Sequence, residues 1–315
     1  MIRHRHQFCS GWLIGLLMAV AMLAVGGCGS APPKQAGPAI DQDLERFNRA
    51  ARLAFDRGRH QQAADFYRQA LDRAYVRDDI QAILDAQYNL AFCLMNLQSY
   101  EAALGVVRNA KTEMARAGRG HSVDFLLLEA TIFYRSGNSA EAWKITDKIL
   151  STRTQDASAI TSKTYFLRGL IASRQGDIDQ LRAAIAALGQ PEDLRLRADR
   201  RELVGLLAMT EHNWDAAIEA FDGATELRRE ALDYRAMVRI LALAGKACEE
   251  AGRAKAASIR YLRAGRSAVL QGLFDDARKW LNRAEQIAAT AGEAQIAREA
   301  RIYLGQMAAL TAAPP

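Results

Sequence analysis

The chain predicts an all-α fold, a solenoid of about six helical hairpins followed by C-terminal capping helices. Three observations carry this. Five of the six prolines (Pro32, Pro33, Pro38, Pro314 and Pro315) stand in the first forty or last two residues, leaving Pro191 alone in a body rich in Ala, Leu, Arg and Glu, a composition suited to helices. Small residues recur through that body in two registers at a near-constant spacing. Glycines fall between the registers, where helices would end. With 315 residues, half of them apolar and a quarter charged, the chain can bury a sizeable core and does not read as disordered.

The N-terminus reads as a secretory leader. Arg3 and Arg5 supply a positive start and Trp12 to Val25 an apolar stretch, too short for a membrane span. Val25-Gly26-Gly27-Cys28 resembles the lipobox of bacterial lipoproteins, with an aliphatic residue, two small ones and the cysteine. The resemblance implies a leader over 1–27 and acylation of Cys28 as the first mature residue. Gly29, where an Asp would imply inner-membrane retention, implies the outer membrane, facing the periplasm. The other reading is an ordinary signal cleaved after Gly29-Ser30-Ala31, giving a non-lipidated periplasmic protein. Residues 28–40, with their Pro-rich Ser30 to Ile40 stretch, then form a tether, and 41–312 the folded body. Two or three acyl chains, at about 0.8 kcal/mol per buried CH₂, would anchor the chain without a transmembrane helix.

The first hairpin is written in Phe47 to Ala70 (FNRAARLAFDRGRHQQAADFYRQA), with small residues at Ala51, Gly58, Ala63 and Ala70 and Tyr67 among them. The same frame recurs. The first helix of each unit carries Ala51, Ala91, Ala130, Gly169, Gly205 and Gly245, and the second Ala63, Ala103, Ala142, Leu181, Ala217 and Ala257, in steps of 40, 39, 39, 36 and 40 residues. Small residues there let paired helices approach closely, while Tyr67, Val107, Phe221 and Tyr261 fill the space between pairs. Turns are expected at 57–59, 136–138, 175–177 and 251–253, each with a central Gly.

This pattern resembles the tetratricopeptide repeat over about residues 44–290, which implies a right-handed solenoid. It departs from that family in a period nearer 39 than about 34, in the missing proline that closes each repeat, and in Leu181 where Ala is expected. Longer helices follow from the longer period. Leu188-Gly189-Gln190-Pro191-Glu192-Asp193 ends one helix and starts the next, with Gly past the end and Pro and acids at the start. Gly272 and Phe274 mark a turn into a helix of about 274–290, and a last amphipathic helix of about 293–309 caps the array.

In such solenoids the first helix of each hairpin lines the concave face. The frame places there Asn48, Arg52 and Phe55; Tyr88, Phe92 and Met95; Leu127, Thr131 and Tyr134; Phe166, Leu170 and Arg174; Leu206 and Met209; and Lys246 and Glu249. The middle of this groove is apolar and aromatic and its ends are charged, which suits a partner peptide or helix. Tyr88, Phe92 and Tyr134 stand out as contact residues, since aromatics give area at low entropy cost. The alternative is that the long helices tilt and bury the same side chains. The Lys and Asn pattern with which some tetratricopeptide proteins clamp a C-terminal carboxylate is not evident.

Chemistry-bearing residues are few. Beyond the leader, Cys93 and Cys248 lie 155 residues apart and read as separately buried thiols. His60, His121 and His212 fall near turns, without HExxH, a Cys pair at metal spacing or a Gly-x-Ser-x-Gly elbow. Gly118-Arg119-Gly120 lacks the Lys-Ser/Thr of a phosphate loop. No catalytic residue, metal or cofactor is implied. Without 1–27 the chain carries 40 Lys and Arg against 36 Asp and Glu, about +4, interleaved as on a solvated face and not as a nucleic-acid patch. The resemblances imply a lipid-anchored scaffold or adaptor for other envelope proteins. A pilotin-like assembly factor for an outer-membrane secretin is the alternative. A rival of another class, an enzyme using the groove, would need a convergent polar cluster there.

Overall fold

The computed structural model describes residues 41–120, 122–152 and 157–312. The expected leader, Cys28 with the expected tether, and His121 lie outside them. The chain divides into Met1–Asp41 and Gln42–Pro315, and the second unit is described below. It is the all-α, tetratricopeptide-like hairpin solenoid that the repeat predicts. Fourteen α-helices occur among the described residues, pairing into seven hairpins: α1 (Gln42–Asp56) with α2 (His60–Val76), α3 (Ile80–Asn96) with α4 (Tyr100–Arg116), α5 (Val123–Arg135) with α6 (Ser139–Ser151), α7 (Ala157–Gln175) with α8 (Ile178–Leu188), α9 (Leu194–Thr210) with α10 (Trp214–Glu230), α11 (Tyr234–Glu250) with α12 (Ala254–Leu270), and α13 (Phe274–Thr290) with α14 (Ala294–Ala312). The expected capping helices form the last pair, which keeps the 40-residue step from Ala257 to Ala297.

The long period has a simple cause. Most helices run 17 residues and are joined by three-residue turns whose middle residue has positive φ. That residue is Gly at 58, 137, 252, 272 and 292, but Asp78, Gln98, His212 and Leu232 hold the same place. At each turn the next N–H reaches back to close the helix end. Arg59 N donates to Ala54 O at 2.9 Å, Ser99 N to Leu94 O at 3.0 Å, and Asp233 N to Arg228 O at 2.9 Å. This six-to-one bond satisfies carbonyls that the helix leaves open. The same turn serves within hairpins and between them, so no proline is needed to close a repeat. Asp79, Asn138, Asp177, Asn213 and Asp233 then cap the following helix with their side chains, each stabilising by about 1 kcal/mol.

The small frame residues lie at the helix crossings. Ala51, Ala91, Ala130, Ala63, Ala103, Ala142, Leu181, Ala217 and Ala257 are fully buried. A Cβ on Gly205 would sit 2.5 Å from the Phe221 ring, so this crossing excludes any larger residue. Each helix packs on its neighbours in sequence, and some on the next but one. Side chains a repeat apart also meet: Arg119 donates to Gln81 Oε1 at 3.0 Å and Arg260 to Asp222 Oδ2 at 2.5 Å.

One contact breaks this local order. The α1–α2 turn meets residues far along the chain. A Cβ on Gly272 would lie 2.7 Å from the Arg57 carbonyl oxygen, and one on Gly58 3.0 Å from the Gly272 carbonyl oxygen. Arg235, near the start of α11, donates to the Phe55 carbonyl at 3.3 Å and lies 3.3 Å from His60 Nε2 and 5.1 Å from the Phe55 ring centre. A turn inside the first hairpin therefore docks on the turn joining the sixth to the seventh. The solenoid completes its circuit and touches itself.

Candidate partner-binding channel

Closure encloses the face expected to be concave as a channel, with the first helices of the hairpins as its expected walls. Of the side chains expected there, Tyr88, Phe92, Leu127, Thr131, Tyr134, Phe166 and Leu170 are half-buried. Phe92 lies 5.5 Å from Phe55, and Tyr88 meets Phe125 edge-on at 5.5 Å. The Tyr134 ring carries the Arg174 guanidinium 3.8 Å from its centre. Thr131 donates its hydroxyl to the Leu127 carbonyl at 2.7 Å, so its methyl is what it leaves to the surface. Leu127 and Tyr134 pack on one small core cluster, and Phe166, Leu170 and Leu206 on another.

Met95 differs from the expectation. It is 2% exposed, inside the core with Phe125, Leu128 and Ile132, because the last turn of α3 packs against α5. It is a core residue and does not line the channel.

The channel is also more cationic than the frame suggests. Arg135, at the end of α5, donates to Asn96 Oδ1 at 3.1 Å, and Arg174 donates to the Tyr134 carbonyl. Arg239, on α11, forks onto both oxygens of Glu202, whose side chain has no exposure. Arg239 keeps 45% of its side-chain surface open, yet burial pushes its pKa down, with the Asp199 carboxylate opposing the shift and Arg135 adding to it. Burial, then Arg235 and Arg135, push His60 down to about 4.

Beneath the guanidiniums lies a second ion pair. Arg228 and Asp199, with side chains 5% and 12% exposed, are bonded together, and Arg228 also donates to Asp233 at 3.0 Å. Burial raises the Asp199 carboxyl, against the opposing pull of Arg228. These pairs were not foreseen from the sequence. The available signal was Glu202 itself, an acid in the frame position that Tyr88, Leu127 and Phe166 hold in earlier repeats.

Two cavities adjoin the channel. One of about 440 Å³ is lined by Tyr88, Asp85, Arg119, Asp124 and Phe125, where the longer α4–α5 connection opens the stack. Another of about 330 Å³ is lined by Leu206, Met209, His212, Trp214 and Lys246. Among the described residues no three His, Cys, Asp or Glu side chains come together as a metal site. Cys93 and Cys248 are free and buried, and burial pushes Cys93 up to about 12.

No protein-family model and no curated protein matches the chain. Among solved structures it is similar to a tetratricopeptide repeat protein from Parabacteroides merdae, at 13% identity and a TM-score of 0.45, covering 83% of this chain and 100% of that one. It is similar to a Rap protein complexed with competence and sporulation factor, at 13% identity and a TM-score of 0.49, over 87% and 88% of the two chains. It is also similar to the Cut9-Hcn1 assembly of the APC/C, at 12% identity and a TM-score of 0.45, over 82% and 57%.

Proposed function

We propose that this chain is a protein–protein interaction scaffold that receives a segment of a partner protein in its concave channel and is tethered to the envelope through lipid on Cys28. The observation that supports it best is the channel wall itself. Tyr88, Phe92 and Tyr134 stand half-buried on successive first helices, offering aromatic area beside guanidiniums, the residue types that dominate contact energies at interfaces. Chemistry of a hydrolytic or metal kind has no assigned residue here, and no reaction is proposed. The tether rests on Val25-Gly26-Gly27-Cys28, which lies outside the described residues.

The test compares wild type with Cys28→Ser by labelled-palmitate incorporation, membrane fractionation and recovery of associated proteins. Label and outer-membrane association in wild type alone, with a partner complex recovered, is the expected result. A secretin among the partners would favour the pilotin-like role. Equal solubility and no label in either chain would overturn the lipid anchor and leave a periplasmic repeat protein.

A further inference from the structure

We propose that the closure is a latch worked by protonation of His60: a second proton on its imidazole releases the first hairpin from the sixth and opens the ring at its seam. That the opening admits a partner segment to the channel from the side rests on the scaffold reading; the latch itself does not.

The geometry of the closed ring suits only one form of His60. Arg235, on α11, brings Nη1 to 3.3 Å from His60 Nε2. A guanidinium carries donors alone, so Nε2 is the acceptor and the single proton of the neutral ring is on Nδ1. That Nδ1 is buried and has no hydrogen-bond partner, and the Phe55 ring centre lies 4.9 Å from the imidazole centre. A second proton can go only to Nε2, where it sets donor against donor and one positive charge against another.

The charged groups around the imidazole do not take up that added charge. Arg235 faces it from α11 and Arg135 acts on it from α5, while Arg57 and Arg59 flank it in its own turn. The acids of the closure are Asp56 on α1, Asp276 on α13 and Asp233 before α11, and they act on Arg235. Among the described residues no carboxylate bonds to either ring nitrogen of His60. Arg235 also donates to the Phe55 carbonyl at 3.3 Å, so the guanidinium that protonation repels is the one that ties α11 to the first hairpin. Burial, then Arg235 and Arg135, hold the closed form at about 4, against the ordinary 6.5. As pH falls through 6.5 toward 4, the open ring takes a proton that the closed ring refuses. The ratio of open to closed therefore rises, by up to about tenfold between pH 7.5 and pH 5.5.

Nitroxides on Arg59→Cys and Leu270→Cys, exposed positions beside the two docked turns, report the seam by electron paramagnetic resonance. The mature chain carries Cys28→Ser, so that the native thiols left are the buried Cys93 and Cys248. The distance should be short at pH 7.5, and a longer population should grow as pH falls to 4.5 and vanish on return, with the helical circular dichroism unchanged. His60→Gln keeps an acceptor for Arg235 and takes no proton, so it should stay closed throughout. A wild-type distance that stays short to pH 4.5, an equal lengthening in His60→Gln, or a lengthening that comes only with loss of helix overturns the latch. The scaffold reading fails separately, if no protein crosslinks to the channel in cells.

Discussion

Replacing Gly272 with Ala, beside the same change at Gly252, isolates the energy of the solenoid's closure. Both glycines hold nearly the same backbone, φ +72° and +70°. An L-residue in that region costs roughly 1–2 kcal/mol, offset by up to about 1 kcal/mol from the stiffer unfolded chain. Each variant should therefore lose about 1 kcal/mol from this source. Their surroundings differ: a Cβ at 252 meets nothing within 4 Å, whereas at 272 it would lie 2.7 Å from the Arg57 carbonyl oxygen. Ordinary carbon–oxygen contacts need about 3.3 Å or more, so the two turns must part by roughly half an ångström or more. That strains or breaks the two Arg235 contacts, each contributing about 0.5–1.5 kcal/mol. Gly272→Ala should thus cost about 2–4 kcal/mol and Gly252→Ala about 1. Urea unfolding followed by circular dichroism reads the difference, and small-angle scattering reads the opening as a larger radius of gyration for Gly272→Ala alone. Equal losses with unchanged radii would refute the closure as a source of stability.

Leu232 stands at a turn with φ +54° and is 69% exposed, so Leu232→Gly should stabilise the chain by about 1 kcal/mol; an unchanged or lower urea midpoint would contradict this. Arg228→Met strands Asp199 in the interior and should cost about 3 kcal/mol near neutral pH. Losing Arg228 lets the already raised Asp199 carboxyl rise further. A raised folded pKa means stability is lost as pH rises through it, so the penalty should shrink from pH 7.5 to pH 5; a pH-independent penalty would count against the buried pair. His60 runs the other way. Its folded value of about 4 lies below the ordinary 6.5, so as pH falls through 6.5 toward 4 the unfolded chain takes a proton that the folded one refuses. His60→Gln should flatten this acid limb by about 1–2 kcal/mol, allowing for partial exposure, as measured by thermal or urea unfolding at pH 7 and pH 4.5.

Much of the architecture was legible because its determinants are local and repeated. Ala51, Ala91, Ala130, Gly169, Gly205 and Gly245 recur because the helix crossings leave no room for more, and Gly58, Gly137, Gly176 and Gly252 mark turns by backbone chemistry alone. The 20-residue half-repeat was hidden by Asp78, Gln98, His212 and Leu232, which occupy the left-handed position without being glycine. Met95 was misplaced because a frame counted along one helix does not register how the last turn of α3 leans on α5. The closure was not legible at all. It depends on the summed rotation of six hairpins, which brings Gly58 to Gly272. The cationic channel therefore emerged only with the structure, although its aromatic residues were visible in the sequence.

The most direct test of the binding channel is site-specific photo-crosslinking in cells, with a photoreactive phenylalanine at Tyr134 and, as a control, at Ile259, which is 38% exposed on α12. The account predicts a discrete protein adduct from Tyr134 that is weakened by Arg135→Ala/Arg174→Ala, and none from Ile259. Adducts from Ile259 but not from Tyr134 would place binding on the outer face and contradict it.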